Sequence, residues 1–395
     1  LKILILSFYF RPDLSACSFR TTALVESLVA LAPAGLQIDV ITTLPNRYKS
    51  FSPEAPETER LQGVSISRIA LPDHQSGMLD QSRAFWTFAR AATRMVARRD
   101  YDIAFATSSR LMTAVLGAWI TRRRETRLYL DIRDIFVETI RDVAPRIVSL
   151  LGKPVFSALE RWTIRRADKV NLVSPGFADY FSARYPEQEF SYFTNGIDSE
   201  FLDSASKDVS VPGGERGAGV LSVVYAGNIG EGQGLHAIVP EIARLMEPRV
   251  HFRIIGDGGR KGALEVALSA AGATNVEIHP PVNRTELIAA YREADVLFLH
   301  LNDHQAFTRV LPSKFFEYAA MGKPIWAGVS GYAAEFARSE IPNSAVFHPC
   351  DAEAAVRAFG ALVIEDTLRD DFLQKYAREN VSREMAEYIL ALGRK

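Results

Sequence analysis

The chain has 395 residues and a mass of 43.8 kDa, 48% of the residues hydrophobic and 24% charged, with a formal net charge of −1. That is the balance of an ordinary soluble globular protein, and at ~100–200 residues per domain the length suits two or three domains, two being the simplest count. The only cysteines, Cys17 and Cys350, lie far apart, which excludes a disulfide scaffold or zinc ribbon and fits a reducing compartment.

The chain opens with Lys2-Ile-Leu-Ile-Leu-Ser-Phe-Tyr, an apolar run without helical period. Arg11, Pro12 and Asp13 follow with no small-residue cleavage site, so the run reads as a buried parallel strand and not a signal core. Residues 19–31 carry Ala23, Leu24, Leu28 and Leu31 at helical spacing, and Ile38-Asp-Val-Ile-Thr-Thr predicts the next strand. The alternation continues with a helix over 82–98, a strand at 103–106, a helix over 111–121, a strand at 128–131, a helix around 155–165 and a strand from 169. This order predicts βαβ units and a parallel sheet covered on both faces. A polar stretch holding Pro212, Gly213, Gly214, Gly217 and Gly219 then predicts an inter-domain linker over 204–219. The pattern restarts at Leu221-Ser-Val-Val-Tyr-Ala-Gly, with further strands at 252–256, 276–279, 296–300, 324–327 and 345–347, and a helical stretch over 368–392. The expectation is an α/β chain of two doubly wound, Rossmann-like domains, 1–203 and 220–367, followed by a helical segment over 368–395. No apolar run reaches the ~18–20 residues of a membrane span.

Ligands of doubly wound sheets bind at the carboxyl ends of the strands, so a central cleft faced by both domains is the expected site. Three motifs sit at such ends in the second half. Gly227-Asn-Ile-Gly-Glu-Gly-Gln-Gly234 includes Asn228, Gly230 and Gln233; it suits backbone contact with a phosphate, or is only a glycine-rich turn. Gly256-Asp-Gly-Gly precedes Arg260 and Lys261, which would neutralise a diphosphate or stand as an exposed basic pair. Pro312-Ser313 reads as a helix start, with Lys314 in the first turn, where the helix dipole disfavours a cation unless an anion is near. Glu317 lies three residues on, as an acceptor for vicinal hydroxyls or a partner for Lys314. In the first half, Asp131, Arg133, Asp134 and Glu138 crowd one strand end, as a chemical site or an internal salt-bridge network. Asp100-Tyr-Asp102 matches a metal-holding Asp-x-Asp but precedes its strand. No other metal-ligand spacing stands out.

Charge is uneven: residues 1–200 hold 26 Lys and Arg against 22 Asp and Glu, and the remainder 20 against 25. Arginines bunch at 90–99, 122–127 and 161–166, interleaved with Trp86, Met95 and Trp162. Such faces are either solvated or lie on anionic lipid, with Arg94, Arg98 and Arg99 beside Trp86 as the leading contacts. Neither half has the charge of a nucleic-acid binder.

At these residues the chain resembles the retaining GT-B glycosyltransferases of the "glycosyltransferases group 1" family (family four), in the bacterial O-antigen and capsule branch typified by N-acetylfucosamine transferases. The resemblance runs almost end to end. It rests on Ser-Phe-Tyr-Phe-Arg-Pro at 7–12, Thr-Thr-Leu-Pro-Asn at 42–46, Asp-Ile-Arg-Asp at 131–134, Thr-Asn-Gly-Ile-Asp at 194–198, Tyr-Ala-Gly-Asn-Ile-Gly at 225–230 and Pro-Ser-Lys-Phe-Phe-Glu-Tyr at 312–318. It implies an acceptor-binding first domain, a second domain for a nucleotide sugar, usually UDP-linked, and a terminal helix returning to the first domain. It also implies that Glu317 holds the ribose while Lys314, Arg260 or Lys261 and the Gly227 loop hold the diphosphate without a metal or other cofactor. Three positions depart from the family pattern: Arg309 replaces a frequent donor-contacting Glu, Gln233 stands near a frequent Lys, and Arg133-Asp134 replaces His-Asp.

The sequence thus predicts sugar transfer with retention onto a lipid-linked or growing glycan acceptor, in surface polysaccharide synthesis, by a cytoplasmic protein at or near the inner membrane face. Asp134, Glu138 and Arg133 are the candidate catalytic groups. The alternatives are a nucleotide-sugar 2-epimerase, with Asp131, Asp134, Glu138 and His304 as acid/base groups, and a non-catalytic nucleotide-sugar binder.

Overall fold

In the computed structural model, which describes residues 1–13, 15–31, 34–46, 54–72, 78–108, 111–135, 137, 146–207 and 219–393, every run read as a strand joins one of two sheets. The first holds β1 (Lys2–Leu6), β2 (Gln37–Thr43), β3 (Thr58–Leu61), β4 (Val64–Ile69), β5 (Ile103–Thr107), β6 (Arg127–Ile132), β7 (Lys169–Leu172) and β8 (Phe190–Ser191). Their order is β3-β4-β2-β1-β5-β6-β7-β8, parallel except for β3 against β4. That β3–β4 hairpin was not expected: its edge strand is Thr-Glu-Arg-Leu, largely exposed, and Gly63 turns it at φ +74°. The second sheet holds β9 (Leu221–Asn228), β10 (Val250–Asp257), β11 (Val276–His279), β12 (Val296–His300), β13 (Ile325–Gly328) and β14 (Ser344–Phe347) in the order β11-β10-β9-β12-β13-β14, all parallel. Strand order reverses at β1 and at β9, and the carboxyl ends beside those switch points are where such sheets take ligands.

The chain packs as two units, Leu1–Gly196 with Arg378–Lys395, and Ile197–Ala377. The helix Ser199–Lys207 therefore belongs with the second unit, where Phe201 is fully buried and stacks on Tyr291. Most of the expected linker, 208–218, lies outside the described residues. The stretch over 368–392 is two helices, Asp370–Tyr376 and Arg378–Leu392, because Ala377 leaves helical geometry to pair with Ile197 as a β-bridge. The later helix packs on Ala16–Ala30 and puts Met385, Ile389 and Leu390 into the core over one face of the first sheet. In the second unit, both faces of the sheet are covered by apolar clusters, one centred on Trp326 and Phe298, the other on Phe315 and Tyr318. That two-sided cover explains why its strands read as unbroken apolar runs.

Candidate functional site

The carboxyl edge of the second sheet brings the glycine runs together. Gly227 on β9 lies opposite Gly256 on β10, and a Cβ on Gly256 would overlap the Gly227 carbonyl. Glycine is required there by close approach, and Gly227 also holds φ +144°. Beyond β9 the loop is tied at several points before the helix Leu235–Met246. Asn228 Nδ2 donates to Gln233 Oε1 at 2.8 Å, Arg260 Nε donates to Glu231 at 2.5 Å, and Asn302 Nδ2 donates to the Glu231 carbonyl at 2.9 Å. His300, at the end of β12, holds the loop from below. Its Nε2 accepts the Cys350 N–H at 3.0 Å, so Nδ1 carries the proton and donates to the Gln233 carbonyl at 2.7 Å. Burial holds the His300 imidazole down at about 4, against the pull of that carbonyl.

Lys314 opens the short helix Lys314–Ala320, and its Nζ stands directly over Gly227, where a Cβ would overlap it, 5.3 Å from the centre of the Tyr225 ring. Tyr225 in turn donates to the Asn228 carbonyl at 2.7 Å, so the ring under the ammonium is fixed to the same loop. Ser313 is the N-cap residue of that helix, which therefore starts where Pro312-Ser313 predicted, although its backbone is helical and its side chain makes no capping hydrogen bond. Glu317 lies one turn on, with Oε1 3.7 Å from Arg284 Nη1. Arg284 also pairs with Asp198 and covers the Phe201 ring at 4.3 Å. Lys261 begins the helix Lys261–Ala271, and Arg309 ends the 3₁₀ turn Gln305–Arg309, both half-buried. One edge thus carries bare backbone, an ammonium, a guanidinium and a carboxylate. It can receive a phosphate group at the glycines and hydroxyls at Glu317. The sequence reading missed Tyr225, Arg284 and His300; the polar His300 closing an apolar strand was the available signal.

In the first unit the charged strand end resolves into two parts. Asp131 is wholly buried and accepts from Arg20 through both oxygens (3.0 and 2.9 Å), from Thr107 at 3.2 Å and from Asn171 at 2.9 Å. Arg20 and Asn171 hold its carboxyl below the usual carboxylate range in spite of burial, which acts the other way. Asp131 is therefore an internal network and not an acid/base group, which corrects that part of the epimerase reading. Arg133 and Asp134 lie past the strand end. The Arg133 backbone is held by Ser108 Oγ at 2.9 Å, while Nη1 is buried without a hydrogen-bond partner among the described residues. Surrounding protein pushes the Asp134 carboxyl up to about 6 with Arg133 opposing, and its exposed surface lets water offset part of that shift. Glu138 lies outside the described residues. Nearby, Asp13 accepts the Asn46 N–H at 3.3 Å and Thr43 donates to the Phe8 carbonyl at 2.7 Å, joining the loops after β1 and β2. Asp102 instead accepts the Lys2 N–H at 2.7 Å, at the opposite edge of the sheet, and no metal-holding group of His, Cys, Asp or Glu occurs among the described residues.

Residues 20–196 match the glycosyl transferase 4-like domain, and residues 221–365 match the glycosyl transferases group 1 domain. The chain belongs to the glycosyltransferase group 1 family. It is 27% identical over 229 residues to a protein named as a colanic acid biosynthesis glycosyl transferase, WcaI of Escherichia coli K12, a match covering 55% of this chain. The chain spans about half the length of that relative, the matched part being 53% of it. Among solved structures, Anabaena HepE in complex with UDP-glucose superposes with a TM-score of 0.65 at 15% identity, covering 99% of each chain. WaaG, a glycosyltransferase involved in lipopolysaccharide biosynthesis, superposes with a TM-score of 0.61 at 13% identity, covering 100% of this chain and 97% of WaaG. At such identities the likeness shows the fold, and that fold is GT-B. In this group 1 chain the glycine edge, Lys314 and Glu317 fall within the group 1 domain, while Arg133 and Asp134 fall within the 4-like domain.

Proposed function

We propose that this chain transfers a sugar, with retention, from a nucleotide diphosphate sugar, UDP-linked, to a lipid-linked or growing glycan acceptor in bacterial surface polysaccharide synthesis. The observation that carries the reading is Lys314 Nζ poised over Gly227, at the carboxyl edge of β9 and in a first helical turn. A cation there is disfavoured by the helix dipole and becomes favourable when a diphosphate lies against the glycines. In the reaction the anomeric C–O bond to the diphosphate breaks, an acceptor oxygen bonds to the same carbon, and the acceptor proton leaves for the departing phosphate. Negative charge develops on the leaving group, where Lys314, Arg260, Lys261, Arg309 and the loop amides of Gly230 and Gln233 supply positive potential without a resident metal. Glu317 would accept from the ribose hydroxyls, its carboxylate positioned by Arg284. In the first unit Asp134 would stabilise the developing positive charge on the sugar or orient the acceptor hydroxyl, with Arg133 beside it; among the described residues the buried Arg133 Nη1 has no hydrogen-bond partner, which supports a ligand there. HepE, of the same fold, is solved with UDP-glucose, and the WcaI likeness supports a polysaccharide pathway.

The test is a thermal-shift screen of nucleoside diphosphates and their sugars, with and without a chelator. A ligand at 100 times its Kd adds ~2.7 kcal/mol of stability. Stabilisation by UDP and a UDP-sugar in the chelator, followed by acceptor-dependent release of UDP, is the expected outcome. Conversion of the sugar without acceptor would favour an epimerase, and binding without turnover a non-catalytic binder.

A further inference from the structure

We propose that the outer face of three first-unit helices, Met78–Val96, Leu111–Thr121 and Arg146–Arg166, docks on an anionic lipid bilayer surface. The proposal stands apart from the transfer reading, since either can fail alone. The crossovers from β4 to β5, β5 to β6 and β6 to β7 all step the same way across the sheet, so right-handed connections put the three helices on one face. Leu111–Thr121 packs against both of the others. The opposite face is the one covered by Ala16–Ala30 and Arg378–Leu392.

Each helix presents one tryptophan to solvent: Trp86 is 69% exposed, Trp119 48% and Trp162 38%. The chain's fourth tryptophan, Trp326, is fully buried. Tryptophan is highly buried on average, and its amphipathic ring is favoured at the level of lipid headgroups. Val155 and Met95, 57% and 39% exposed, add apolar surface to the same helices.

Cations surround the rings. Arg83, Arg90, Arg94, Arg122, Arg123, Lys153, Arg161 and Arg165 are all exposed, and the Arg122 guanidinium lies 3.3 Å from the centre of the Trp119 ring. The acids within the three helices are Asp80 and Glu160, and Glu160 faces inward, accepting from Tyr185 at 2.9 Å and Tyr180 at 3.1 Å. Other exposed acids lie outside the helices, Asp100 after the first, Glu125 after the second, and Asp134 before and Asp168 after the third. The structure also sorts the arginines. Arg124 donates to the Val96 and Ala97 carbonyls at 3.0 and 3.2 Å and closes the first helix; Arg166 donates to the Thr121 carbonyl at 2.5 Å and closes the second. Arg99 pairs with Asp39 at 2.8 Å. These three serve the fold, so Arg99 is not a leading contact, and the mid-helix Arg90 and Arg94, following Trp86 at helical spacing, take that place.

The whole-unit charge agrees with the face. Residues 1–196 and 378–395 hold 30 Lys and Arg against 23 Asp and Glu, and residues 197–377 hold 16 against 24. An anionic surface therefore attracts one unit and repels the other. No helix among the described residues is long and apolar enough to cross a bilayer, so the contact is a peripheral one, with rings at headgroup depth and arginine stems snorkelling.

Three of the four tryptophans lie on the face, so intrinsic fluorescence reads it directly. Vesicles containing phosphatidylglycerol at low salt are expected to shift the emission to the blue, with quenching by brominated lipid. Phosphatidylcholine alone or high salt should reduce both effects. Replacing Arg90 and Arg94 by Gln should lower partitioning about five-fold per arginine, and Trp86→Ala with Trp162→Ala should weaken it while leaving UDP thermal shifts unchanged. Three outcomes overturn the proposal: no blue shift on anionic vesicles, partitioning unaffected by the arginine changes, or lipid-free self-association that the tryptophan variant abolishes. UDP binding in solution reports the donor site independently.

Discussion

Acidification should destabilise the second unit through a single imidazole. His300 is 1% exposed, stacked near Phe298 and Phe347 with ring centres at 6.3 and 6.1 Å. Its Nε2 already accepts the Cys350 N–H, so a proton added there would set two donors against each other. Its folded value is lowered from 6.5 to about 4. Between those values the unfolded chain takes up a proton that the folded chain refuses, so this stability is complete above pH 6.5 and is lost as pH falls toward 4. A shift of that size corresponds to about 3 kcal/mol. Because Nδ1–H holds the Gln233 carbonyl, the same fall should loosen the glycine loop and weaken UDP binding. The assay is denaturant unfolding of the wild type and His300→Gln from pH 8 to pH 4. Gln can still donate to one partner and accept from the other, but it does not titrate. Its stability deficit against the wild type should shrink by about 3 kcal/mol across that range. A deficit constant with pH would refute the reasoning.

Lys314→Ala should reduce turnover by roughly 10²–10³-fold, the scale for losing one charge-stabilising donor in the transition state; unchanged steady-state release of UDP in a folded variant would remove its role. Asp131→Asn leaves Arg20 buried without its carboxylate and should cost ~3–5 kcal/mol in denaturant unfolding, whereas Arg20→Met combined with Asp131→Leu should recover much of the loss. If Asp134 must be ionised to meet the acceptor, the rate should fall as pH drops through or somewhat below about 6, and Asp134→Asn should abolish that limb of the profile along with most activity.

The periodic signals read well because they come from burial. Parallel strands covered on both faces are apolar throughout, as in β12 (Val-Leu-Phe-Leu-His), and need no tertiary information to be recognised. The β3–β4 hairpin was illegible for the converse reason: Thr58–Leu61 is an edge strand and its side chains resemble those of a loop. Helix starts were displaced where local chemistry, not periodicity, sets them. Ser15 caps Ala16–Ala30 by accepting the Ser18 N–H, so the helix starts three residues before the first expected helical position, 19. Asn283, which scans as a glycosylation sequon, is the cap of Arg284–Glu293 with Glu286 closing the box. The glycines and Lys314 were legible because few structural needs put glycine, glycine and an unfavourably placed lysine at successive strand ends. Arg284 and His300 were not, because what they touch comes from residues 86 and 67 positions away.

The charged run at 131–134 shows where a one-dimensional reading loses information. Asp131 and Asp134 are three residues apart, and composition treats them alike. Asp131 is still inside β6, in register between Thr107 of β5 and Asn171 of β7, both of which donate to it. Its neighbour of the same strand parity, Tyr129, belongs to the core beneath Ala16–Ala30, the helix that carries Arg20. Asp131 therefore meets a cation that the fold delivers from 111 residues away, and its charge is consumed internally. Asp134 lies beyond the last residue of the strand, where no neighbouring strand can supply donors, and its carboxyl is raised where that of Asp131 is lowered. Two aspartates on either side of one strand end thus acquire opposite environments: the carboxylate of Asp131 is consumed by the fold, and that of Asp134 is exposed past the strand end.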